Sequence, residues 1–288
     1  MNSKEVLQED HSKEVTAGER FEFGENWRRF LTVLDESRIV AAEQSMLKIL
    51  GNQAGLKGKR FLDAGSGSGL SSLVARRQGA IVHSFDFDPQ SVACTQKLRQ
   101  NYYPDDPEWQ IEQASVLDRR YLESLGNFDV VYSWGVLHHT GHMWDALGNV
   151  APLVREGGYL FIAIYNDQGK MSRRWKWVKK AYNSLPTSLR FLVLWPSFLA
   201  LWWRRIVKDF FLGHPFRQWR EYAALRGMSP WHDVVDWVGG YPFEVAKPEE
   251  IFNFYRDRGF TLLEMTTEAG DLGCNQFVFR KIAPSVTP

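Results

Sequence analysis

The sequence predicts an α/β fold built on a doubly wound, mostly parallel sheet of seven strands. Strand-like and helix-like runs alternate between residues 59 and 166, and such repeated units form a parallel sheet with helices on both faces. A glycine-containing turn joins two more strand candidates near residue 270. Strands joined by so short a turn must be antiparallel, so we expect the last strand to run against the others.

The composition is that of a globular domain in a reducing compartment. The chain has 288 residues, of which 44% are hydrophobic and 24% charged, and its net charge is +1. This balance gives no reason to expect a nucleic acid partner. Two cysteines, a polar first segment and no run of 18 apolar residues favour a soluble, cytoplasmic protein.

Residues 1–54 are predicted to form a tail followed by covering helices. Residues 1–20 are polar and rich in charge, which predicts a frayed tail or an arm that is ordered only by contact. From residue 21 onwards, apolar residues recur at spacings near three and four. That spacing is typical of one or two amphipathic helices.

Residues 55–166 and 244–285 are predicted to form the sheet domain, and residues 167–243 a helical insert. The expected strands are residues 60–64, 80–86, 109–114, 128–133, 159–165, 260–267 and 275–280. The expected helices between them are residues 70–77, a helix that begins near Pro89, residues 143–154 and residues 251–258.

A glycine-rich turn follows the first predicted strand, at the edge where parallel sheets bind ligands. Its sequence is Asp63-Ala64-Gly65-Ser66-Gly67-Ser68-Gly69. Positions without a side chain let a ligand lie against bare backbone, although a tight turn without a ligand would use the same residues. The dinucleotide-binding fingerprint would need glycine or alanine where Leu70 stands.

An acid at the end of the second predicted strand strengthens the prediction of a nucleoside site. Asp86 lies 21 residues beyond Gly65, the spacing at which a carboxylate reaches ribose hydroxyls. Asp88 is a competing candidate, but Pro89 after it favours a helix cap. After the third strand, Ser115 could contact an adenine, while Asp118 could equally cap the next helix.

Taken together, these segments resemble the class I S-adenosylmethionine-dependent methyltransferases, particularly the small-molecule type related to quinone-biosynthesis methylases. The matching segments, in the family's order, are LDAGSGSG, the acid in SFDFDP, ASVLD, FDVVYSWGVLHH and LVREGGYLFIAIYN. The resemblance implies a Rossmann-like sheet with a reversed last strand. It also implies that S-adenosyl-L-methionine is the methyl donor and S-adenosyl-L-homocysteine the product.

The resemblance further implies where the cofactor lies. The glycine turn would pass beside its methionine part, Asp86 would hold the ribose, and the residues after the third and fourth strands would flank the adenine and the sulfonium. Many relatives have an acid where Ser115 stands. The complete predicted cofactor site consists of Asp63, Gly65, Ser66, Gly67, Gly69, Asp86, Phe87, Ser115, Val116, Ser133, Trp134, Arg38 and Trp27.

A histidine-rich loop after the fourth predicted strand supplies the candidate catalytic bases. An imidazole titrates near neutral pH and can take a proton from a hydroxyl. His139 is the first candidate, followed by His138 and His142, although loop histidines also cap and pack. No metal site is expected, because Asp145 is the only acid nearby in the sequence.

Oxygen of a small-molecule, lipid- or glycan-type acceptor is the favoured methylation target. The Asn/Asp-Pro-Pro-aromatic run of nucleobase methylases does not follow the fourth strand, and neither cysteine is placed for pyrimidine methylation. Methylation of nitrogen, carbon or sulfur stays open, as do an NAD-dependent oxidoreductase and a non-catalytic cofactor-binding scaffold. The predicted acceptor contacts are Tyr165, Asn166, Trp231 and Tyr241.

The insert at residues 167–243 is predicted to be a helical lid. Between Lys170 and Lys208 the chain has ten basic residues, five tryptophans and no acid. Its uncharged stretch, residues 191–203, is too short to span a bilayer. Three interpretations stay open: a lid that only packs over the site, a lid that also contacts an anionic acceptor or the inner membrane surface, and a homodimer interface.

Overall fold

A computed structural model describes residues 3–50, 55–215, 217–226 and 230–282. Within these residues one sheet contains seven strands. They are β1 (Arg60–Ala64), β2 (Ile81–Asp86), β3 (Trp109–Gln113), β4 (Phe128–Trp134), β5 (Val154–Tyr165), β6 (Phe260–Thr266) and β7 (Cys274–Lys281).

The strand order explains where a ligand can enter. The strands lie in the order β3-β2-β1-β4-β5-β7-β6, and β1 pairs in parallel with both β2 and β4. The chain therefore leaves β1 and β4 in opposite directions, which opens a crevice at their carboxyl ends. β7 is antiparallel to β5 and to β6, so the predicted doubly wound sheet with a reversed last strand is confirmed.

Twelve helices surround this sheet in the described ranges. They are α1 (Ser3–Thr16), α2 (Phe23–Leu31), α3 (Glu36–Leu50), α4 (Leu70–Arg77), α5 (Pro89–Tyr102), α6 (Arg119–Ser124), α7 (Met143–Val150), α8 (Lys170–Ser184), α9 (Phe191–Phe211), α10 (Arg217–Arg226), α11 (Pro230–Gly239) and α12 (Pro248–Arg256).

Helices cover both faces of the sheet because successive strand residues point to opposite sides. On one face, Leu62, Val131 and Leu160 pack with α7 and α12. On the other face, Phe61 and Val130 pack with α3, α4 and α5. Burial on both faces explains why the strands are almost continuously apolar in the sequence.

The insert forms a separate aromatic core beside the carboxyl edge of the sheet. Trp175 and Tyr182 of α8 pack with Trp202 of α9, Val234 of α11, and Phe21 before α2. α9 continues through Pro196 to Phe211, so it is longer than the uncharged stretch predicted from the sequence. None of the helices in the described residues could cross a bilayer.

The first helix corrects the prediction of a frayed tail. The segment is helical from Ser3 to Thr16, and His11 packs its ring 5.5 Å from that of Phe87. The chain is thus ordered by contact with the loop after β2, as the alternative prediction of an arm allowed. Parts of the predicted domains, residues 1–2, 51–54, 216, 227–229 and 283–285, lie outside the described residues.

Candidate active site

The carboxyl edge of the sheet opens into a cavity of about 2010 Å³. The loops after β1 to β4 line one end of it, and α8, α9 and α11 line the other. Pockets for single small ligands usually measure about 300–1,000 Å³. The cavity is therefore large enough for two ligands, one against the sheet and one against the helices of the insert.

The turn between β1 and α4 needs glycine at two positions. Gly65 and Gly67 have φ angles of 87° and 54°, which residues with side chains rarely adopt. A Cβ atom on Gly65 would lie 2.3 Å from Val136 Cγ1, and one on Gly67 would lie 3.0 Å from Trp27 Nε1. The turn is fixed to β2, since the Gly65 N–H donates to the Phe85 carbonyl at 2.9 Å.

Asp63 anchors this turn from behind. Its carboxylate accepts a hydrogen bond from Ser72 Oγ at 2.5 Å, and Ser72 is hydrogen-bonded in turn to Ser84 at 2.7 Å. Burial raises the pKa of Asp63 to about 6. The residue lines the cavity, but its hydrogen bond is to α4, so it positions the glycine turn.

Asp86 holds the glycine turn from the neighbouring strand. Its Oδ2 accepts from the Gly67 N–H at 2.9 Å and its Oδ1 from the Asp88 N–H at 2.9 Å. Although it lines the cavity, it is mostly surrounded by protein, and this burial together with Asp88 raises its pKa to about 7. A carboxylate has about four lone-pair sites, so two remain for a ligand.

The N-terminal helices are tied to the loop that follows Asp86. Asp88 caps α5 by accepting from the Gln90 N–H at 2.8 Å, and its other oxygen accepts from the Gly24 N–H of α2 at 2.7 Å. The guanidinium of Arg20 lies 4.8 Å from the centre of the Phe87 ring. The alternative that Asp88 is a helix cap is thus the one observed.

Most of the predicted cofactor residues meet at this end of the cavity. Beyond β3, Ser115 accepts from the Leu117 N–H at 3.2 Å, and Asp118 caps α6. The predicted residues that line the cavity are Asp63, Gly65, Ser66, Gly67, Asp86, Phe87, Ser115, Val116, Trp134, Arg38 and Trp27. Their contacts with a cofactor remain predictions.

Two predicted cofactor residues do not line the cavity, and their contact with a cofactor stays a prediction. Ser133 is fully buried and donates to the Ala64 carbonyl at 2.7 Å, so it joins β4 to β1. Gly69 is the N-cap of α4, and a Cβ there would lie 2.8 Å from the Cα of Thr95. Both serve packing within the sheet domain.

The three histidines of the loop after β4 have different surroundings. His138 is fully buried, and its Nδ1 accepts from the Tyr165 N–H at 3.4 Å. It does not line the cavity, and its role as a base stays a prediction. His142 is exposed at the rim, and its Nδ1 lies 3.7 Å from Asp145. In the described residues, no group of three or more metal-binding side chains is found.

His139 lines the cavity and is held in one orientation. Its Nδ1 lies 2.6 Å from the Pro242 carbonyl oxygen, which can only accept, so Nδ1 carries the hydrogen. Burial and the nearby Lys179 lower its pKa to about 3. His139 is therefore neutral near pH 7, with Nε2 as its acceptor atom.

A buried lysine at the helical end was missed by the sequence analysis. Lys179 is fully buried, donates to the Trp237 carbonyl, and lies 4.8 Å from the centre of the Phe243 ring. Burial lowers its pKa to about 7. The available signal was its helical spacing, because Trp175 and Tyr182 place it on the apolar face of α8.

Asp236 of α11 is the candidate base at the helical end of the cavity. It lines the cavity, and its Oδ1 accepts from Asn26 Nδ2 at 3.1 Å. Burial and the neighbouring Asp233 raise its pKa to about 7. Beside it, the indole nitrogen of Trp237 is buried without a hydrogen-bond partner in the described part of the chain.

Of the four predicted acceptor contacts, only Tyr165 lines the cavity. Asn166 donates to a carbonyl of the β6–β7 loop at 3.2 Å. Trp231 packs 5.6 Å from an aromatic ring of α9, and the Tyr241 carbonyl accepts from the segment before α2 at 2.9 Å. Asn166 thus contacts the β6–β7 loop and Trp231 packs within the insert, and the predicted acceptor contacts of these three residues stay predictions.

The glycine turn, Asp86 and the histidine loop all lie in one continuous segment, and comparison with known protein families identifies that segment. Residues 62–160 match a methyltransferase domain. The matched methyltransferase domain runs from β1 into β5 and contains the loops after β1 to β4 that line the sheet end of the cavity. The predicted resemblance to class I S-adenosylmethionine-dependent methyltransferases is confirmed.

Curated proteins similar in sequence include two quinone-pathway enzymes. The chain is 33% identical over 124 residues to the ubiquinone biosynthesis O-methyltransferase of Aeromonas salmonicida, covering 42% of this chain and 50% of that protein. It is 30% identical over 118 residues to the ubiquinone biosynthesis O-methyltransferase of Escherichia coli K12, covering 40% of this chain and 47% of that protein. The chain thus spans about half the length of these relatives.

Solved structures with the same fold cover most of the chain. An O-methyltransferase family protein from Burkholderia thailandensis has 15% identity and a TM-score of 0.52, covering 86% of this chain and 58% of that one. Magnesium protoporphyrin IX methyltransferase from Synechocystis PCC 6803, with bound S-adenosylhomocysteine, has 16% identity and a TM-score of 0.51, covering 89% and 93%. Identities this low show the fold alone, and confirm the predicted Rossmann-like architecture.

Proposed function

We propose that this protein transfers the methyl group of S-adenosyl-L-methionine to an oxygen of a small-molecule acceptor. The observation that carries the proposal is the position of Asp86. Its carboxylate is fixed to the glycine turn at the cavity wall, within the segment that matches a methyltransferase domain. The choice of oxygen is supported by the O-methyltransferases among its relatives.

The residues at the sheet end fit the donor. The two free lone-pair sites of Asp86 suit the two ribose hydroxyls, and each charge-assisted hydrogen bond contributes about 1.5–3 kcal/mol. Gly65 and Gly67 would lie along the methionine part, with Trp27 above them. Ser115 and Val116 would flank the adenine, where the Ser115 hydroxyl can still donate.

The bound donor supplies a methyl carbon that is activated by a sulfonium. Once the methyl group is transferred, the rest of the donor leaves as S-adenosyl-L-homocysteine. The chain must place the acceptor oxygen in line with that carbon, take its proton and exclude water. The helices of the insert close the other end of the cavity. They would bind the acceptor and keep water from the reacting atoms.

Asp236 is the proposed base. Its pKa of about 7 suits a group that must be ionised before transfer and protonated after it. Asn26 occupies one oxygen, which leaves Oδ2 to receive the proton as the acceptor O–H bond breaks and the new C–O bond forms. No covalent intermediate with the protein is needed.

His139 is proposed to orient the acceptor instead of ionising. With its proton fixed on Nδ1 by the Pro242 carbonyl, Nε2 can accept a hydrogen bond but binds a proton weakly, because its pKa is about 3. A base this weak does not readily take the proton from a hydroxyl near neutral pH. His139 would therefore contribute less to the rate than Asp236.

The proposal is tested by incubating the purified chain with methyl-labelled S-adenosyl-L-methionine and a panel of phenols, alcohols, carboxylic acids, amines and thiols. We expect label in oxygen acceptors, with S-adenosyl-L-homocysteine formed in equal amount. Untargeted comparison of metabolites from cells with and without the protein would then reveal pairs that differ by one methylene mass. Label in nitrogen or sulfur acceptors alone would contradict the proposed oxygen chemistry.

A further inference from the structure

One face of α9 is apolar and exposed along the length of the helix. The face consists of residues spaced three or four apart, each between 42% and 73% exposed: Leu192, Trp195, Leu199, Trp203, Val207 and Phe210. The opposite face is buried through Leu194, Ser197 and Trp202. Single exposed apolar residues are common, but a contiguous apolar stripe marks a surface that binds something.

The segment that contains this apolar face is positively charged. Between residues 170 and 208 the chain has ten basic residues and no acid. Eight of the ten are exposed: Lys170, Arg173, Arg174, Lys176, Lys180, Arg204, Arg205 and Lys208. In the described part of the chain no salt bridge involves any of these eight. Three of them, Arg174, Arg204 and Arg205, also line the cavity, and the other five are available to a partner outside the fold.

We propose that the exposed face of α9 docks on the surface of an anionic lipid bilayer. An amphipathic helix with aromatic and aliphatic residues on one face and Lys and Arg on the other lies in the plane of the lipid headgroups. Tryptophan favours that depth, and each basic residue near an anionic surface adds attraction. The helix would lie on the membrane, since none of the described helices can cross it.

Charge also argues against a second copy of the chain as the partner. A symmetric dimer uses the same surface on both subunits, so it would bring two of these basic segments together. Like charges at an interface repel, and the segment has no acid to offset them. An anionic lipid surface has the complementary charge.

This inference goes beyond the proposed methyl transfer and is tested without it. The purified full chain is sedimented with vesicles of phosphatidylcholine alone and of phosphatidylcholine with about one third phosphatidylglycerol. We expect binding to the anionic vesicles only, weakened at least tenfold when salt is raised from about 0.05 M to about 0.5 M, because salt screens exposed charges.

Two variants separate the apolar contribution from the charge. The triple variant Leu192→Ser, Leu199→Ser and Phe210→Ser should lose at least tenfold in vesicle affinity. Its matched control changes three exposed apolar residues elsewhere, Val40→Ser, Leu47→Ser and Met265→Ser, and should bind as the unmodified chain does. Circular dichroism and thermal unfolding verify that both triple variants remain folded.

The charge variant Arg173→Gln, Lys180→Gln and Lys208→Gln should also lose at least tenfold, while Lys48→Gln, Lys97→Gln and Arg120→Gln together should not. Failure of the unmodified chain to bind anionic vesicles at low salt would overturn the proposal. So would unchanged binding by the folded apolar triple variant. A concentration-dependent dimer that the apolar triple variant abolishes, with no vesicle binding, would assign the face to self-association instead.

Discussion

The two ends of the cavity are held together in different ways. At the sheet end, the carboxylates of Asp86 and Asp88 accept hydrogen bonds from backbone N–H groups of Gly67, Gln90 and Gly24. At the helical end, Lys179 lies over the Trp237 ring, and Asp236 accepts a hydrogen bond from the side chain of Asn26. The first arrangement fixes the backbone around a site for one kind of ligand, and the second leaves buried charged groups with few fixed hydrogen-bond partners.

The largest expected effect tests the helical end. Asp236→Asn removes the proposed base and should lower kcat by about 10²–10⁴, while the affinity for S-adenosyl-L-methionine stays within a factor of two or three. Asp209→Asn is the matched control, because Asp209 is a buried acid of the insert that caps α10 and does not line the cavity. Equal turnover in Asp236→Asn and the unmodified chain would show that Asp236 is not the base.

Asp63 at the sheet end gives a pH-dependent effect on stability. Its folded pKa of about 6 lies above the unfolded value of 3.8, so its contribution to stability is present below pH 4 and is lost as the pH rises through 6. Asp63→Asn does not titrate and should gain up to about 3 kcal/mol relative to the unmodified chain between pH 4 and pH 7.

Urea unfolding at the two pH values measures this difference in free energy of unfolding. Asp145→Asn, at an exposed position, should show the same difference from the unmodified chain at both pH values. A constant difference for Asp63→Asn would mean that Asp63 is ionised at the same pH in the folded and unfolded chain.

Donor binding at the sheet end should depend on one side chain. Asp86→Ala should weaken the affinity for S-adenosyl-L-methionine at least tenfold, the loss expected from one charge-assisted hydrogen bond. Because the pKa of Asp86 is about 7, the affinity of the unmodified chain should rise as the pH increases from 6 to 8. Asp145→Ala serves as the control, and titration calorimetry gives the dissociation constants.

The smallest effects separate the loop histidines. His139→Ala should reduce turnover by less than the Asp236 variant does, with donor affinity retained, because we assign His139 an orienting role. His142→Ala should leave turnover unchanged, since its side chain is exposed at the rim. Turnover is measured as kcat at saturating donor. A larger loss of kcat in His139→Ala than in Asp236→Asn would make His139 the base and Asp236 the orienting residue.

The sheet end could be predicted from the sequence because its parts lie close together along the chain. The glycine turn, Asp86 and the capping Asp88 follow local rules of turn geometry and helix capping. The strands were recognisable because burial on both faces makes them continuously apolar. The covering helix α1 was not, since few apolar residues mark it and its order comes from His11 against Phe87.

The helical end could not be predicted in the same way because its contacts join distant residues. Asn26 meets Asp236 across 210 positions, and His139 meets Pro242 across 103. Lys179 is one of ten basic residues in the segment, and its charge favours exposure although its helical spacing indicates burial. The side chains of Asn166, Trp231 and Tyr241 were predicted to contact an acceptor, but none of the three lines the cavity.

The most direct test of the central claim is titration calorimetry of the unmodified chain with S-adenosyl-L-homocysteine and, separately, with NAD. We predict saturable binding of the nucleoside at one site per chain, reduced at least tenfold by Asp86→Ala and unaffected by Asp145→Ala, and no binding of NAD. Binding of NAD in its place, or equal affinity of the two variants for S-adenosyl-L-homocysteine, would contradict the assignment of this edge of the sheet to the methyl donor.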